Sequence, residues 1–241
     1  MVPAVPGTGA AMIRVRATRH EPAPWLYRAV VFVLKAAMRL LRWRVHISGL
    51  EHVPASGPVL VVANHVSYLD PILIGLAVEQ RGRMVRYLAK RELFDHWFTG
   101  PVMRGADQIL VDRKGDAGAA LKHAELAMLD GKLLVIFPEA TIHPVFDPAN
   151  GKTGSARLAL ATRVPVVPVV AWGGQQIATK GGPKRLGVSS THIVCFGPPI
   201  GYEARDSVAE LTQRIMGCIA ELVATAARDH PLELGQPIAS S

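Results

Sequence analysis

A histidine and an aspartate stand five positions apart, at His65 and Asp70, in the stretch VLVVANHVSYLDP of residues 59–71. An imidazole that bonds a carboxylate through one ring nitrogen can act as a general base through the other. Within one straight helix, this spacing turns the two side chains about 140° apart, so they meet only if the segment folds back as a turn. Asp70 followed by Pro71 is also typical of a helix N-cap with proline at the first helical position. Two interpretations therefore stay open, a catalytic pair or a capping aspartate beside a histidine that bonds to the backbone.

Apolar runs typical of buried strands alternate with helical stretches along most of the chain. The first such run, 59–63, ends just before His65, which places the pair in a loop at the carboxyl end of a strand, where α/β sheets gather reactive groups. Further strands are predicted at 84–89, 107–111, 133–137, 166–171 and 191–196, and helices at 71–79, 116–130, 155–162 and 207–228. The alternation predicts one α/β domain over 48–230, with a mostly parallel or mixed sheet flanked by helices.

Two of the predicted helices carry local end signals. Gly131 follows the helix at 116–130, in the position of a C-terminal cap. Ser207 and Glu210 form a capping box at the start of the last helix. Both signals depend on residues within one turn of the helix end.

Composition limits the class of partner. The chain has 241 residues and a net charge of +8, so a partner with negative charge is expected. Nucleic acid, an anionic membrane and phosphorylated or CoA-linked molecules all qualify, but the basic residues lie in no nucleic-acid-binding motif. The histidines and the two cysteines, Cys195 and Cys218, show no metal-ligand or redox spacing. These features predict no nucleic acid, no metal and a reducing, cytoplasmic location.

The segment 24–47 mixes large apolar side chains with basic ones. Its longest uninterrupted apolar run covers 29–34, far short of the ~20 apolar residues that a membrane-spanning helix needs. The segment is too basic and too far from the first residue for a secretory signal. We predict an amphipathic helix region in the membrane interface, with an ordinary amphipathic helix packed on the domain as the alternative. Residues 1–23 are predicted to form a mobile tail, and 231–241 a C-terminal tail.

The stretch NHVSYLD at 64–70 resembles the His-x4-Asp motif of the glycerolipid acyltransferase family, which includes the 1-acylglycerol-3-phosphate acyltransferases. Further blocks follow in the order found in that family. They are YLAKRELF at 87–94, GADQILVDR at 105–113, IFPEATIH at 136–143 and VPVVPV at 164–169. The likeness covers about residues 45–200, and the sequence after Lys152 is similar, more loosely, to an actinobacterial branch of the family.

The resemblance implies an enzyme that moves a fatty acyl group from a thioester, either acyl-CoA or acyl-carrier protein, to the free hydroxyl of a lysophospholipid. The family's mechanism implies that His65 deprotonates this hydroxyl, that Asp70 supports the imidazolium, and that no metal or cofactor takes part. The first acceptor implied is 1-acylglycerol-3-phosphate, which would give phosphatidic acid. Lipid substrates and a basic surface predict a peripheral protein on an anionic membrane, at the cytoplasmic face.

The third block departs from the family's common Phe-Pro-Glu-Gly-Thr-Arg-Ser. Ala140 replaces the glycine, which is expected to close off backbone conformations with positive φ. Ile142 replaces an arginine that, in the family, helps to hold the acceptor's phosphate. Other residues must then bind the acceptor, or its head group differs. The candidates for acceptor and phosphate binding are Lys90, Arg91, Arg113, Glu139, Thr141, Lys152 and Arg157. For Glu139, a structural hydrogen bond to nearby backbone is an alternative.

Three other functions are compatible with these residues. A different lipid acceptor, such as a glycolipid, a lysophosphatidylinositol species or an ornithine lipid, would account for the missing arginine without a change of mechanism. A thioesterase would use His65 and Asp70 on water, but it has no sequence feature of its own here. A silent lipid-binding protein would keep the helix and the charge, and the presence of both catalytic candidates argues against it.

Overall fold

The computed structural model of the chain describes residues 25–111, 117–182 and 188–232. The predicted tail at 1–23, most of the tail at 231–241 and Arg113 lie outside these ranges. The strands are β1 (Arg44–Ser48), β2 (Val59–Ala63), β3 (Val85–Lys90), β4 (Ile109–Val111), β5 (Leu133–Ile136), β6 (Val166–Trp172) and β7 (Thr191–Phe196). The helices are α1 (Trp25–Leu40), α2 (Asp70–Glu79), α3 (Arg91–Asp95), α4 (Thr99–Gly105), α5 (Ala117–Leu129), α6 (Gly154–Thr162) and α7 (Val208–Asp229).

The described strands form a mixed sheet in the order β1-β7-β6-β2-β5-β3-β4. Neighbouring strands are parallel, except for the antiparallel pair β6 and β7. Strands β6, β2, β5, β3 and β4 therefore run in one direction, while β7 and β1 run in the other. This architecture confirms the prediction of one α/β domain with a mostly parallel, mixed sheet.

Strand β2 shows how the sheet is covered on both faces. All five residues from Val59 to Ala63 are buried, although alternate side chains point to opposite faces. Leu60 and Val62 pack in a core formed with α5, α6 and α7. Val59 and Val61 pack in a second core formed with α2. A continuous apolar run is the expected sequence of such a strand, because both of its faces are buried.

Both local helix-end signals are confirmed. At the start of α7, Ser207 Oγ accepts the Glu210 N–H at 3.2 Å, and Glu210 Oε2 accepts the Ser207 N–H at 2.9 Å. After α5, Gly131 has a φ of 80°, in the left-handed region where a C-terminal cap usually has glycine.

The N-terminal segment differs from the prediction of one helical region over 24–47. Helix α1 ends at Leu40, and Arg44–Ser48 forms an edge strand parallel to β7. The short helices α3 and α4 fall between predicted elements and were also not predicted. Strand β1 was not predicted because it is defined by its pairing with β7, far along the chain.

Helix α1 has two different faces. Leu26, Val30 and Leu34 recur at helical spacing and are half-buried against the domain. On the other face, Trp25 and Phe32 are 80% and 72% exposed. Within the described ranges, no helix combines the length and the apolar character needed to cross a membrane.

Candidate active site

Three neighbouring parallel strands, β6, β2 and β5, end at the same edge of the sheet. The loop after β2 contains His65, the loop after β5 contains the third sequence block, and the loop after β6 includes 173–182. The first two loops are joined by the His143 N–H, which donates to the His65 carbonyl at 3.0 Å. The first and third are joined by Thr179 Oγ1, which donates to the Val66 carbonyl at 2.6 Å. The strand order therefore assembles one site from three distant parts of the sequence.

His65 and Asp70 meet across the turn after β2. His65 Nδ1 lies 3.2 Å from Asp70 Oδ2, and the same oxygen accepts the N–H groups of Val66 and Ser67, both at 2.8 Å. The N-cap of α2 is Leu69, so the prediction of Asp70 as N-cap was wrong by one residue. The Asp70 carboxylate accepts hydrogen bonds from the loop before α2. These bonds hold the turn in which His65 and Asp70 meet.

Burial and hydrogen bonding shift the pKa of the Asp70 carboxyl in opposite directions. The side chain is fully buried, and burial raises the pKa of its carboxyl above the usual value. The bonds from His65 and the two amides oppose this rise because they favour the ionised form. The His65 ring stacks on Phe137 with centroids 4.1 Å apart, and its Nε2 bonds to none of the described residues. The ring thus contacts a carboxylate through one nitrogen, and the other nitrogen has no bonding partner among the described residues.

Asn64, which the sequence patterns did not single out, attaches the His65 loop to β6. Its Nδ2 donates to the Ala171 carbonyl at 3.0 Å, and its Oδ1 accepts the Ala171 N–H at 2.8 Å. The buried amide side chain thereby extends the hydrogen bonding between β2 and β6 by one step beyond β2. An asparagine directly after a buried apolar run was the available signal.

Glu139 supports the backbone of the same loop. Its side chain is buried, and Oε1 accepts the His65 N–H at 2.7 Å. The structure therefore contains the backbone hydrogen bond that was the alternative role for this residue. The second oxygen, Oε2, is buried without a hydrogen-bond partner among the described residues.

A cavity of about 990 Å³ opens beside His65 and is bordered by α1, α2, β3 and α4. This volume is at the upper end of the range for small-molecule sites. The predicted acceptor-binding residues that line it are Lys90, Thr141 and Lys152. Arg91, Glu139 and Arg157 are not part of the lining, and Arg113 lies outside the described residues. In the part of the chain that the structure describes, no three His, Cys, Asp or Glu side chains are grouped to hold a metal ion.

The family model described as "Acyltransferase" matches residues 44–172, more than half of the chain. This chain belongs to the acyltransferase family. It is 34% identical over 177 residues to the human protein named 1-acyl-sn-glycerol-3-phosphate acyltransferase alpha, a match that covers 71% of this chain and 61% of the human protein. It is 24% identical over 200 residues to a Bacillus subtilis protein named 1-acyl-sn-glycerol-3-phosphate acyltransferase, with coverage of 82% and 96%.

The fold of this acyltransferase-family chain is similar to a solved structure. The crystal structure of the 1-acyl-sn-glycerophosphate acyltransferase from Thermotoga maritima superposes with a TM-score of 0.65 and 24% identity, over 86% of this chain and 81% of that one. The chain spans about three fifths of the length of the human and bovine relatives it matches. The resemblance to the glycerolipid acyltransferase family is confirmed, and the actinobacterial branch stays a prediction.

The backbone of Ala140 contradicts the expectation that alanine in the third motif closes off positive φ. Its φ is 58°, so alanine does not close off positive φ at this position. The residue completes a turn in which its N–H donates to the Phe137 carbonyl at 2.9 Å, and the turn holds it in the left-handed region. An L-amino acid in that region costs about 1–2 kcal/mol relative to right-handed backbone.

Ala140→Gly is expected to raise the free energy of unfolding of this acyltransferase-family chain by about 0.5–1 kcal/mol. Relief of the left-handed strain outweighs the greater entropy of glycine in the unfolded chain. Urea denaturation followed by tryptophan fluorescence measures the difference. In the control Ala119→Gly, on an exposed position of α5, the same change should lower stability by about 1 kcal/mol. A loss of stability in both variants would contradict strain at Ala140.

Burial also perturbs the carboxyl group of Glu139. Burial raises its pKa from 4.5 to about 7, and the nearby carboxylates of Asp70 and Asp147 add to the rise, while the hydrogen bond from the His65 amide opposes it. Between these two values the folded chain holds a proton that the unfolded chain releases. The stability contributed by the protonated group is therefore complete below pH 4.5 and is lost as the pH rises to about 7.

Glu139→Gln is expected to remove this part of the pH dependence. We expect the wild-type free energy of unfolding to fall by about 1–2 kcal/mol more than that of the variant between pH 4.5 and pH 7, after allowance for screening by nearby water. Urea denaturation at half-unit pH steps measures both curves. The exposed Glu221→Gln on α7 is the control and should follow wild type. Parallel curves for Glu139→Gln and wild type would contradict the raised pKa.

Lys180 is a cavity residue that the sequence patterns missed. It lines the same cavity as His65, and its Nζ donates to Thr141 Oγ1 at 3.4 Å. It lies outside the family's motif blocks, so only its place after the strand of the fourth block could have indicated it.

Proposed function

We propose that this chain transfers a fatty acyl group from an acyl thioester to the free hydroxyl of 1-acylglycerol-3-phosphate, giving phosphatidic acid. The observation that carries the proposal is the 3.2 Å contact between His65 Nδ1 and the buried Asp70 carboxylate at the wall of a large cavity. The names of the human and Bacillus subtilis relatives support the same acceptor. We propose acyl-CoA or acyl-carrier protein as donor, with no metal or other cofactor.

The proposed reaction begins with proton transfer to His65. Nε2 takes the proton of the acceptor hydroxyl while that oxygen bonds to the carbonyl carbon of the thioester. The bond from carbon to sulfur then breaks, and the imidazolium gives its proton to the leaving sulfur, so that a free thiol is released. The Asp70 carboxylate balances the positive charge on the ring between these steps. The imidazole is neutral again at the end of the cycle.

The cavity suits an acceptor with both apolar and anionic parts. Leu26, Val30 and Leu76 contribute to an apolar wall that can cover an acyl chain. Lys90 and Lys152 line the same cavity and supply positive charge for a phosphate. We therefore retain these two lysines, with Thr141, as proposed acceptor-binding residues.

We propose that an anionic membrane is the partner of the outer face of α1 and of the turn between α3 and α4. Trp25 and Phe32 are exposed on α1, and Trp97 and Phe98 are 82% and 64% exposed on the turn. Aromatic side chains of this kind favour the interfacial region of a bilayer. The exposed basic residues of α1 are Arg28, Lys35 and Arg39, of which Lys35 is paired with Glu79 of α2. This arrangement supports peripheral association with a membrane. We propose the cytoplasmic face because the proposed donors, acyl-CoA and acyl-carrier protein, are found there.

Release of free thiol from palmitoyl-CoA, in detergent micelles with and without lysophosphatidic acid, tests the activity. We expect release that depends on the acceptor, with phosphatidic acid identified as the lipid product by mass spectrometry. Release without acceptor would indicate a thioesterase, and transfer to a glycolipid or another lysolipid alone would change the substrate. No release from folded protein, with either palmitoyl-CoA or a palmitoyl-loaded acyl-carrier protein as donor, would contradict the proposed activity.

A further inference from the structure

The resemblance implies an arginine in the third motif that holds the acceptor's phosphate, and this chain has Ile142 at that position. Ile142 lines the cavity and is 8% exposed, so this part of the cavity wall is apolar. A phosphate monoester buried beside Ile142 without a cationic donor would lose its hydration without replacement. A phosphate-bearing acceptor therefore depends on cations from other positions, and Lys90 and Lys152, proposed above, need not be the only ones among the described lining residues.

Lys180 is placed by the strand order to supply such a cation. It lies in the loop after β6, and β6 is the neighbour of β2, whose loop contains His65. Its Nζ contacts Thr141, the residue directly before Ile142, at 3.4 Å. The ammonium group thus reaches the third motif from outside it.

The segment before Lys180 is hydrogen-bonded directly to the turn after β2 that contains His65. Thr179 Oγ1 donates to the Val66 carbonyl at 2.6 Å, and Ser67 Oγ donates to the Ala178 carbonyl at 2.7 Å. Thr179 is buried, whereas Lys180 is exposed at the cavity. These two bonds fix the start of the lysine side chain relative to His65 without restricting its flexible end.

The charges around the cavity favour an anion. Besides Lys180, the lining includes Lys90 and Lys152 and one carboxylate, Glu92. Three ammonium groups against one carboxylate give the described lining an excess of positive charge. Hydrogen bonds from lysine to phosphate are charge-assisted and stronger than neutral ones.

We propose that Lys180, together with the Thr141 hydroxyl, holds the phosphate monoester of the lysophospholipid acceptor in place of the absent arginine. This inference rests on the proposed function. Lys180 is then a specificity-determining residue, because an acceptor without the phosphate gains nothing from it. The phosphates of CoA carry the same chemistry, so the experiment must separate acceptor from donor.

The experiment compares wild type, Lys180→Met and Lys180→Arg in steady-state acyl transfer to 1-oleoylglycerol-3-phosphate and to 1-oleoylglycerol, with palmitoyl-CoA varied separately. We expect Lys180→Met to raise the KM for the phosphate acceptor about 10–100-fold, and to leave the KM values for 1-oleoylglycerol and palmitoyl-CoA unchanged. Lys180→Arg should keep the phosphate acceptor within about threefold of wild type, since it retains the charge. Calorimetric binding of 1-hexanoylglycerol-3-phosphate, without donor, should weaken in Lys180→Met by the same factor.

Lys122→Met is the matched control, because Lys122 is exposed on α5 and pairs with Glu125 outside the cavity lining. It should match wild type in every measurement. Equal KM and binding values for Lys180→Met and wild type would overturn the inference. A rise in KM for palmitoyl-CoA alone would assign the lysine to the donor and would also overturn it. A wild-type protein that binds the hexanoyl acceptor through Lys180 but transfers nothing would overturn the proposed function instead.

Discussion

His65→Ala is expected to lower the kcat of acceptor-dependent thiol release by about 10²–10⁴-fold, with small changes in the KM of either substrate. The variant removes the proposed general base but leaves the cavity and its lysines in place. Thiol release from palmitoyl-CoA at saturating lysophosphatidic acid measures the effect.

The control for this variant is His123→Ala, on an exposed position of α5 outside the cavity lining. It should keep wild-type rates, and circular dichroism should show that both variants are folded. Wild-type turnover in His65→Ala would contradict its role as general base.

Asp70→Asn is expected to lower kcat by about 10²–10⁴-fold while the KM for the acceptor stays near that of wild type. Asparagine keeps an oxygen for the His65 ring and the two amides but carries no charge to balance the imidazolium. The double variant with His65→Ala should be no slower than His65→Ala alone, because in the proposed mechanism the aspartate acts through the histidine. Steady-state kinetics of the four proteins of this cycle measure the coupling.

A purely structural role for Asp70 would give a different result. The two losses would then multiply in the double variant, and the unfolding midpoint would fall in parallel with activity. Asp229→Asn, at the exposed end of α7, is the control and should change neither kcat nor the unfolding midpoint.

The buried core of this chain could be predicted because its signals are local. Strands β2 and β5 are short apolar runs, and a parallel strand covered on both faces requires such a run. The capping box of Ser207 and Glu210 involves atoms within four residues of each other. Neither feature depends on which element packs against it.

Elements defined by distant partners were missed. In β1, exposed and half-buried residues alternate, and the strand forms only because β7 lies beside it. From the sequence, these residues continued the amphipathic segment of α1. Helices α3 and α4 have five and seven residues, too few to show a helical period.

The candidate site also has features that the sequence predicted and features that only the structure revealed. The residue types and order of the motif blocks were sufficient to indicate the family and the α/β class. They also predicted that His65 and Asp70 act as a pair, and the structure places the two side chains in contact. The sequence did not show that Asp70 reaches back to the loop, that Ala140 adopts positive φ, or that Lys180 joins Thr141. The contact between Lys180 and Thr141 arises because β6, β2 and β5 lie side by side and bring their loops together, whereas the Asp70 bonds and the Ala140 backbone are set within single loops. Strand order is set by long-range packing, and no local pattern of residues encodes it.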